Sequence, residues 1–215
     1  MLDRFAIEWL RGPLVSGARW LHVHGLRANQ VTLWGFMIGM LAIPAIGLNW
    51  YSVGLLLILM NRVADGIDGA LARIDGATDA GGFLDIVLDF IFYSGIIFAF
   101  ALADPARNSL AATALIFSFV GTGSSFLAYA IMAERRKFVN IVYPHKGFYY
   151  LGGLAEGTET IFFFIAICLF PALFPMLAWF FAGICLLTTV VRVWGGYRAI
   201  AAAEEERRRE DCSDR

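Results

Sequence analysis

Four aspartates, Asp65, Asp68, Asp85 and Asp89, fall within 25 residues of a chain that is 59% hydrophobic. No other stretch limits the possible folds so tightly. Residues three and four apart share a helix face. Asp65, Asp68, Gly69 and Ala72 are therefore expected along one face of a first helix, and Asp85 and Asp89 along one face of a second. An isolated carboxylate near a bilayer centre costs about 2.5 kcal/mol or more. Four become tolerable when something doubly positive is held among them, so the pattern points first to a divalent-metal site.

The surroundings are those of a membrane protein. Mean hydropathy is +0.68, only 16% of residues are charged, and apolar runs of about 20 residues recur, each long enough to cross the hydrocarbon core. The expected fold is all-α and polytopic, with six transmembrane helices over about 31–48, 51–73, 81–103, 108–132, 149–170 and 176–203. Pro44 lies near the outer end of the first, and Gly121 to Ser125 in the fourth allow close helix contact. At 215 residues the chain fits one domain. The expected division is an amphipathic juxtamembrane segment over 1–28, a six-helix domain over 29–203 and a charged, frayed tail over 204–215. In the first segment Phe5, Ile7, Trp9, Leu10, Leu14, Trp20 and Leu21 alternate with Arg4, Arg11 and Arg19, as in an amphipathic helix lying in the membrane interface. A soluble helix packed on the protein is the alternative. Gly12-Pro13 is expected to break or kink it, and Asn29 to cap the next helix. Charges in this segment also interrupt any cleaved-signal core. Cys168, Cys185 and Cys212 are too scattered for a metal set and read as small buried hydrophobes.

Six spans put both ends on one side, and the basic residues choose which. Arg4, Arg11, Arg19 and Arg27 precede the first span, Arg73 borders the second connection, and Arg135, Arg136, Lys137 and Lys146 follow the fourth span. Arg198, Arg207, Arg208, Arg209 and Arg215 end the chain, whereas the opposite turns offer Arg107. The positive-inside rule makes both termini cytoplasmic. The acids then face the cytoplasm, within reach of soluble nucleotides.

Three readings compete for these acids. Solvated loop charges suit Asp75 and Asp79 but not four acids in register on two helix faces. An ion-coupled transporter also uses intramembrane acids. Metal-assisted phosphoryl transfer uses shared carboxylates to hold two divalent ions against a diphosphate. Magnesium, or manganese, suits such hard oxygen donors. Gly66, Gly69 and Ala72 favour this third reading, because they strip side chains from around the acids and let a flat ligand lie on the backbone.

The string Asp65-x2-Asp68-Gly69-x2-Ala72-Arg73-x7-Gly81-x3-Asp85-x3-Asp89 resembles the signature of the CDP-alcohol phosphatidyltransferases. Span number and topology agree, and the overall pattern is most similar to bacterial inner-membrane members. The resemblance implies that Asp65, Asp68 and Asp85 bind the metals, with Asp89 a ligand of the second ion and general base on the acceptor hydroxyl. It implies that Gly69 and Ala72 line a cytidine pocket, that Arg73 holds a CDP phosphate, and that Asn29 and Thr78 contact the nucleotide. Gly82 offers an alternative to Gly81 as the motif glycine. The implied donor is CDP-diacylglycerol and the implied acceptor a small alcohol, with CMP released. A homodimer in the inner membrane is implied too, with membrane lipids as partners and no nucleic acid.

The acceptor is less sharply indicated. Relatives that use phosphorylated acceptors place basic residues at the start of span five, where this chain has Glu156-Gly157-Thr158-Glu159-Thr160. That departure weakens inositol phosphate and glycerol phosphate. Arg135 and Arg192 remain as cations for an acceptor pocket; Arg135 reads equally as a lipid-headgroup anchor, and Arg192 calls for a buried partner such as Glu156 or Glu159. The two glutamates also loosely match the aminoalcohol branch of the family, in which a choline- or ethanolamine-type CDP-aminoalcohol reacts with diacylglycerol.

Overall fold

The computed structural model describes residues 3–135 and 157–213, and their regular structure is helical throughout. The elements are α1 (Asp3–Val23), α2 (Ala28–Met40), α3 (Ala42–Gly47), α4 (Tyr51–Asp75), α5 (Asp79–Ala103), α6 (Pro105–Arg135), α7 (Gly157–Leu169), a 3-10 turn (Pro171–Leu173) and α8 (Phe174–Ser213). By length and composition Ala28–Gly47, Asp79–Ala103, Pro105–Arg135 and Pro171–Glu205 could each cross a membrane. The second half of α4 carries Arg62, Asp65, Asp68, Arg73 and Asp75, and α7 has 13 described residues, so neither joins that set.

Two compact units divide the chain. The first comprises residues 1–113 and 157–178, and α4 is its centre: α1, α2, α3 and α7 all pack on it. Close approach explains why α2 fits there. A methyl added to Gly35 would fall 2.6 Å from the Ala64 side chain, so the α2 backbone rests directly on the Ala64 methyl, the small-residue packing usual between apolar helices. Leu41 interrupts the first apolar run, its N–H turning back to the Ile38 carbonyl. α3 then buries Ala42, Ala45 and Ile46 while packing on both α4 and α5. Helix α5 starts where Thr78 Oγ1 accepts the Gly81 N–H at 3.1 Å, an N-cap of the ordinary kind. Ala18 of α1 packs with Ala70 and Leu71 of α4, flanked by Val15, Leu21 and Ile67.

The second unit comprises residues 114–156 and 179–215. Phe119 meets Phe181 edge-on at 6.3 Å, and a methyl on Gly121 would lie 3.0 Å from Thr189 Oγ1. Its hydroxyls mostly return to carbonyls of their own helix: Ser118 to Leu115, Thr122 to Phe119, Ser125 to Thr122, Thr189 to Cys185.

Three local expectations are corrected. Helix α1 runs through Gly12-Pro13 without a break; its second half is held by the Ala18 packing, which outweighs the lost backbone bond. Asn29 does not cap α2. Arg27 occupies that position and its N–H donates to Gln30 Oε1 at 2.9 Å. Helix α8 continues to Ser213 rather than fraying after Ala203. The alanines at 199 and 201–203 are strong helix formers, and Glu204/Arg208 and Glu205/Arg209 repeat at the i,i+4 spacing that supports a helix. Cys168 and Cys185 are buried free thiols. The connection expected to carry Arg136, Lys137, His145 and Lys146, with Tyr149, Tyr150 and Glu156 after it, lies outside the described residues.

Candidate functional site

Helices α2 and α3 pack on both α4 and α5, and across the cleft that this leaves, the i,i+3 spacing on α4 and a facing position on α5 bring three acids together. Asp65, Asp68 and Asp85 each place a carboxylate oxygen within 4.8 Å of the other two. Two like charges at that distance repel by about 3 kcal/mol at an effective dielectric near ~20. Asp68 is buried, and its Oδ2 has no hydrogen-bond partner among the described residues. A buried acceptor left open costs about 1–3 kcal/mol, more when charged, and three crowded carboxylates of this kind are a donor set that could hold a hard cation. The cleft around them is walled by Thr32, Gly35 and Phe36 of α2, by Asn61 and Arg62 of α4, and by Leu88 and Asp89 of α5.

Asp89 lines the same cleft but is not one of the three acids whose oxygens meet; its carboxylate is engaged by Arg62 and Tyr93 instead. Its Oδ1 accepts from Arg62 Nη2 at 2.7 Å, and its Oδ2 accepts from the Tyr93 hydroxyl at 3.3 Å and from Arg62 Nη1 at 3.5 Å. Arg62 was not among the residues singled out in the sequence. Its signal was there: an arginine inside an apolar run, three residues before Asp65 and on the same face. Asn61 and Tyr93 belong with it. Asn61 Oδ1 accepts from Arg62 Nε at 2.8 Å, and Arg62 Nη1 donates to the Tyr93 hydroxyl oxygen at 2.8 Å.

The expected nucleotide-contacting residues fall into two groups. Gly69 and Ala72 are half-buried and Arg73 is exposed, one to two turns beyond Asp65 along α4. A methyl on Gly69 would lie 3.7 Å from Arg73 Nη1, so the arginine folds back over the glycine. Asn29 and Thr78 converge on Gly81. A methyl there would fall 2.9 Å from Asn29 Oδ1 and 3.0 Å from Thr78 Oγ1, which gives Gly81 a steric reason to be glycine. Asp79 is exposed on the first turn of α5. Asp75 is not a free loop charge, because it pairs with His22 Nδ1 at 2.6 Å.

Glu159 lies half-buried in the first turn of α7, and Glu156 is outside the described residues. Arg135 is exposed at the end of α6. Arg192, in the second unit, is buried; its Nη1 donates to the Thr122 carbonyl at 3.3 Å and its guanidinium lies 5.7 Å from the Phe126 ring centroid.

Comparison with known proteins adds four findings. The family model described as CDP-alcohol phosphatidyltransferase matches residues 26–194. Inner membrane protein YnjF of Escherichia coli (strain K12) is 50% identical over 206 residues, which is 96% of this chain and 100% of that protein. An archaetidylinositol phosphate synthase of Pyrococcus horikoshii is 31% identical over 144 residues, 62% of this chain and 76% of that one. The fold is similar to that of Mycobacterium tuberculosis phosphatidylinositol phosphate synthase at 20% identity. With CDP-DAG bound, the TM-score is 0.62 over 86% of this chain and 93% of that chain. With manganese and citrate, it is 0.64 over 86% and 88%.

Proposed function

Because the chain belongs to the CDP-alcohol phosphatidyltransferase family, and is therefore an enzyme that transfers substituted phosphate groups, we propose that it makes phospholipid at the inner membrane. The donor is CDP-diacylglycerol, the acceptor a small alcohol, and the leaving product CMP. The mutual approach of Asp65, Asp68 and Asp85 within 4.8 Å, inside the family's motif, carries this reading. A relative of the same fold binds CDP-DAG and manganese, which supports the donor and a divalent ion.

The three crowded carboxylates and the open Asp68 Oδ2 fit a divalent cation, magnesium or manganese, with Asp89 as a further ligand when two are held. Bound there, such ions neutralise the diphosphate and polarise the phosphorus under attack. Gly69 and Ala72 let cytidine lie against the backbone, Arg73 contacts a diphosphate oxygen, and Asn29 and Thr78 bound the nucleotide. Asp89 takes the proton from the acceptor hydroxyl. The alkoxide oxygen bonds to the lipid-side phosphorus, the bond to the CMP oxygen breaks, and CMP departs.

We place the acids at the cytoplasmic end of a six-span domain over 29–203. In this reading both termini are cytoplasmic, 1–28 lies in the interface, 204–215 is a cytoplasmic tail, and the enzyme is a homodimer. The acceptor is small and uncharged or cationic, since Gly157 and Thr160, between and beside Glu156 and Glu159, stand where cations would pair with a phosphate. Those glutamates also favour a second reading, a CDP-aminoalcohol transferred to diacylglycerol. Arg135 and Arg192 are the candidates for a phosphorylated acceptor.

The test is purified protein with CDP-diacylglycerol and labelled glycerol phosphate, serine, inositol, inositol phosphate, choline and ethanolamine, each with magnesium, manganese or chelator. Metal-dependent CMP release with one labelled lipid is expected. CMP release that survives chelation removes the metal assignment, and turnover of CDP-choline with diacylglycerol in place of CDP-diacylglycerol selects the second reading.

A further inference from the structure

Arg62 is the most thoroughly held charged group among the described residues of the cleft. Only 8% of its side chain is exposed. Asn61 Oδ1 accepts from its Nε and Nη2, and Asn61 is itself fixed by donating from Nδ2 to the Gly35 carbonyl at 3.0 Å. The Phe92 and Tyr93 ring centroids lie 4.9 and 5.1 Å from the guanidinium carbon, within cation–π range. An arginine fixed this way acts as a preset fork for a carboxylate. It bonds Asp89 directly at 2.7 Å and pairs more loosely with Asp65, whose Oδ2 is 3.7 Å away.

We propose that Arg62 is a positioning residue that holds Asp89 outside the Asp65, Asp68 and Asp85 group. The donor-free enzyme then takes one divalent ion tightly, and the second enters only together with the donor's diphosphate. This rests on the metal reading above. A second dication using Asp89 must draw that carboxylate off Arg62 and settle near a cation that Asn61 and two rings keep in place. Like-charge repulsion makes that unfavourable until the diphosphate brings compensating negative charge. Asp89 thereby stays free of metal, and oriented by two donors, until the substrate that needs it arrives.

The test is a Mn2+ titration of the full chain in detergent, without donor, read by electron paramagnetic resonance of free Mn2+. Wild type is expected to bind one ion tightly. In Arg62→Gln the second ion should tighten by about tenfold or more, and adding Asp89→Asn should return the protein to one ion. Arg62→Lys keeps the charge but loses the fork, so the second ion should tighten several-fold. That variant decides the matter where Arg62→Gln is not folded. CDP-diacylglycerol should tighten the second ion in wild type far more than in Arg62→Gln. Two equally tight ions in wild type, or identical second-ion affinity in wild type and every folded Arg62 variant, overturns the proposal alone. No Mn2+ bound by wild type overturns it together with the metal reading.

Discussion

Helices α4 and α5 are finished differently at their two ends. Around Tyr51 and Phe100 the pair is closed and satisfied. The Phe100 and Phe174 rings stack at 4.7 Å, Tyr51 stacks on Phe100 at 5.6 Å, and Ile96, Ile97, Ala99 and Phe100 are buried. The buried Asn108 amide donates to the Phe100 carbonyl at 2.8 Å, and Arg107 reaches the Ala172 carbonyl at 2.6 Å. Around Asp68 and Asp85 the same two helices crowd three carboxylates and leave one oxygen without a partner among the described residues. One end spends its residues on cohesion. The other gathers like charges at the cost of local cohesion, with Arg62 3.7 Å from Asp65 as a nearby countercharge, the compromise expected of a preorganised site.

Substitutions that exchange activity for stability at one end, and not at the other, test this contrast most directly. Asp68→Asn should lower CMP release by about a thousandfold or more, since it removes a metal-holding oxygen from charge stabilisation of the kind that yields such losses. Its apparent Tm in metal-free detergent should hold or rise, because the lost carboxylate stood beside two others and its Oδ2 lacked a partner among the described residues. A clear drop in Tm would mean that Asp68 serves cohesion after all. Phe100→Ala should do the reverse. It should cost about 3 kcal/mol or more of stability, seen as a lower melting temperature, while CMP release per folded molecule stays within about twofold. A comparable loss of turnover in the folded fraction would join the two ends into one functional unit.

Metal binding sharpens the same contrast at a smaller scale. Mn2+ at about 100 times its Kd should stabilise wild type by about 2.7 kcal/mol through mass action alone. Phe100→Ala should gain the same increment, as distant independent sites do, and Asp68→Asn much less. Unequal gains in wild type and Phe100→Ala would couple the packed end to the open one. Smaller again, Gly81→Ala should weaken donor use by about tenfold, because its methyl must displace Asn29 Oδ1 from 2.9 Å and so misplace a side chain that bounds the nucleotide in the proposed reading. The effect should fall on the KM for donor rather than on stability. An unchanged KM would detach Asn29 from the nucleotide.

The sequence made one side of the cleft legible and hid the other, for physical reasons. Asp65, Asp68 and Asp85 announce themselves because charge is rare in an apolar run and helix period alone decides which charges meet. Asp89 shares the period, yet its orientation is set by a partner on another helix. Arg62 competes for it across a gap of 27 positions, and no period within α5 encodes that choice. Thr78 and Asn29 meet at Gly81 for a similar reason, since close approach between α2 and α5 depends on the Leu41 interruption and the Gly35 contact rather than on local propensity. Pro13 misleads in the opposite direction. Its local cost is real, but Ala18, Val15 and Leu21 packing on Ala70 and Leu71 keeps α1 helical.

The smallest expected effect lies at the last turn of α4, where an acid close to the motif is used for cohesion. Asp75 pairs with His22 at 2.6 Å, and the two side chains are 51% and 27% exposed in that order. An exposed pair of this kind is screened by water and salt and contributes about 0.5 kcal/mol or less. His22→Ala should therefore move the melting temperature by a degree or two at low salt, an offset that shrinks as salt rises, while CMP release and Mn2+ binding stay at wild-type levels. Asp75→Asn should match it, and the double variant should add nothing further, because both changes remove one interaction. A fall in CMP release with either variant would extend the open, ligand-dependent end of α4 past Arg73. The line between an acid kept for chemistry and an acid kept for packing would then move from between Asp68 and Asp75 to beyond the helix itself.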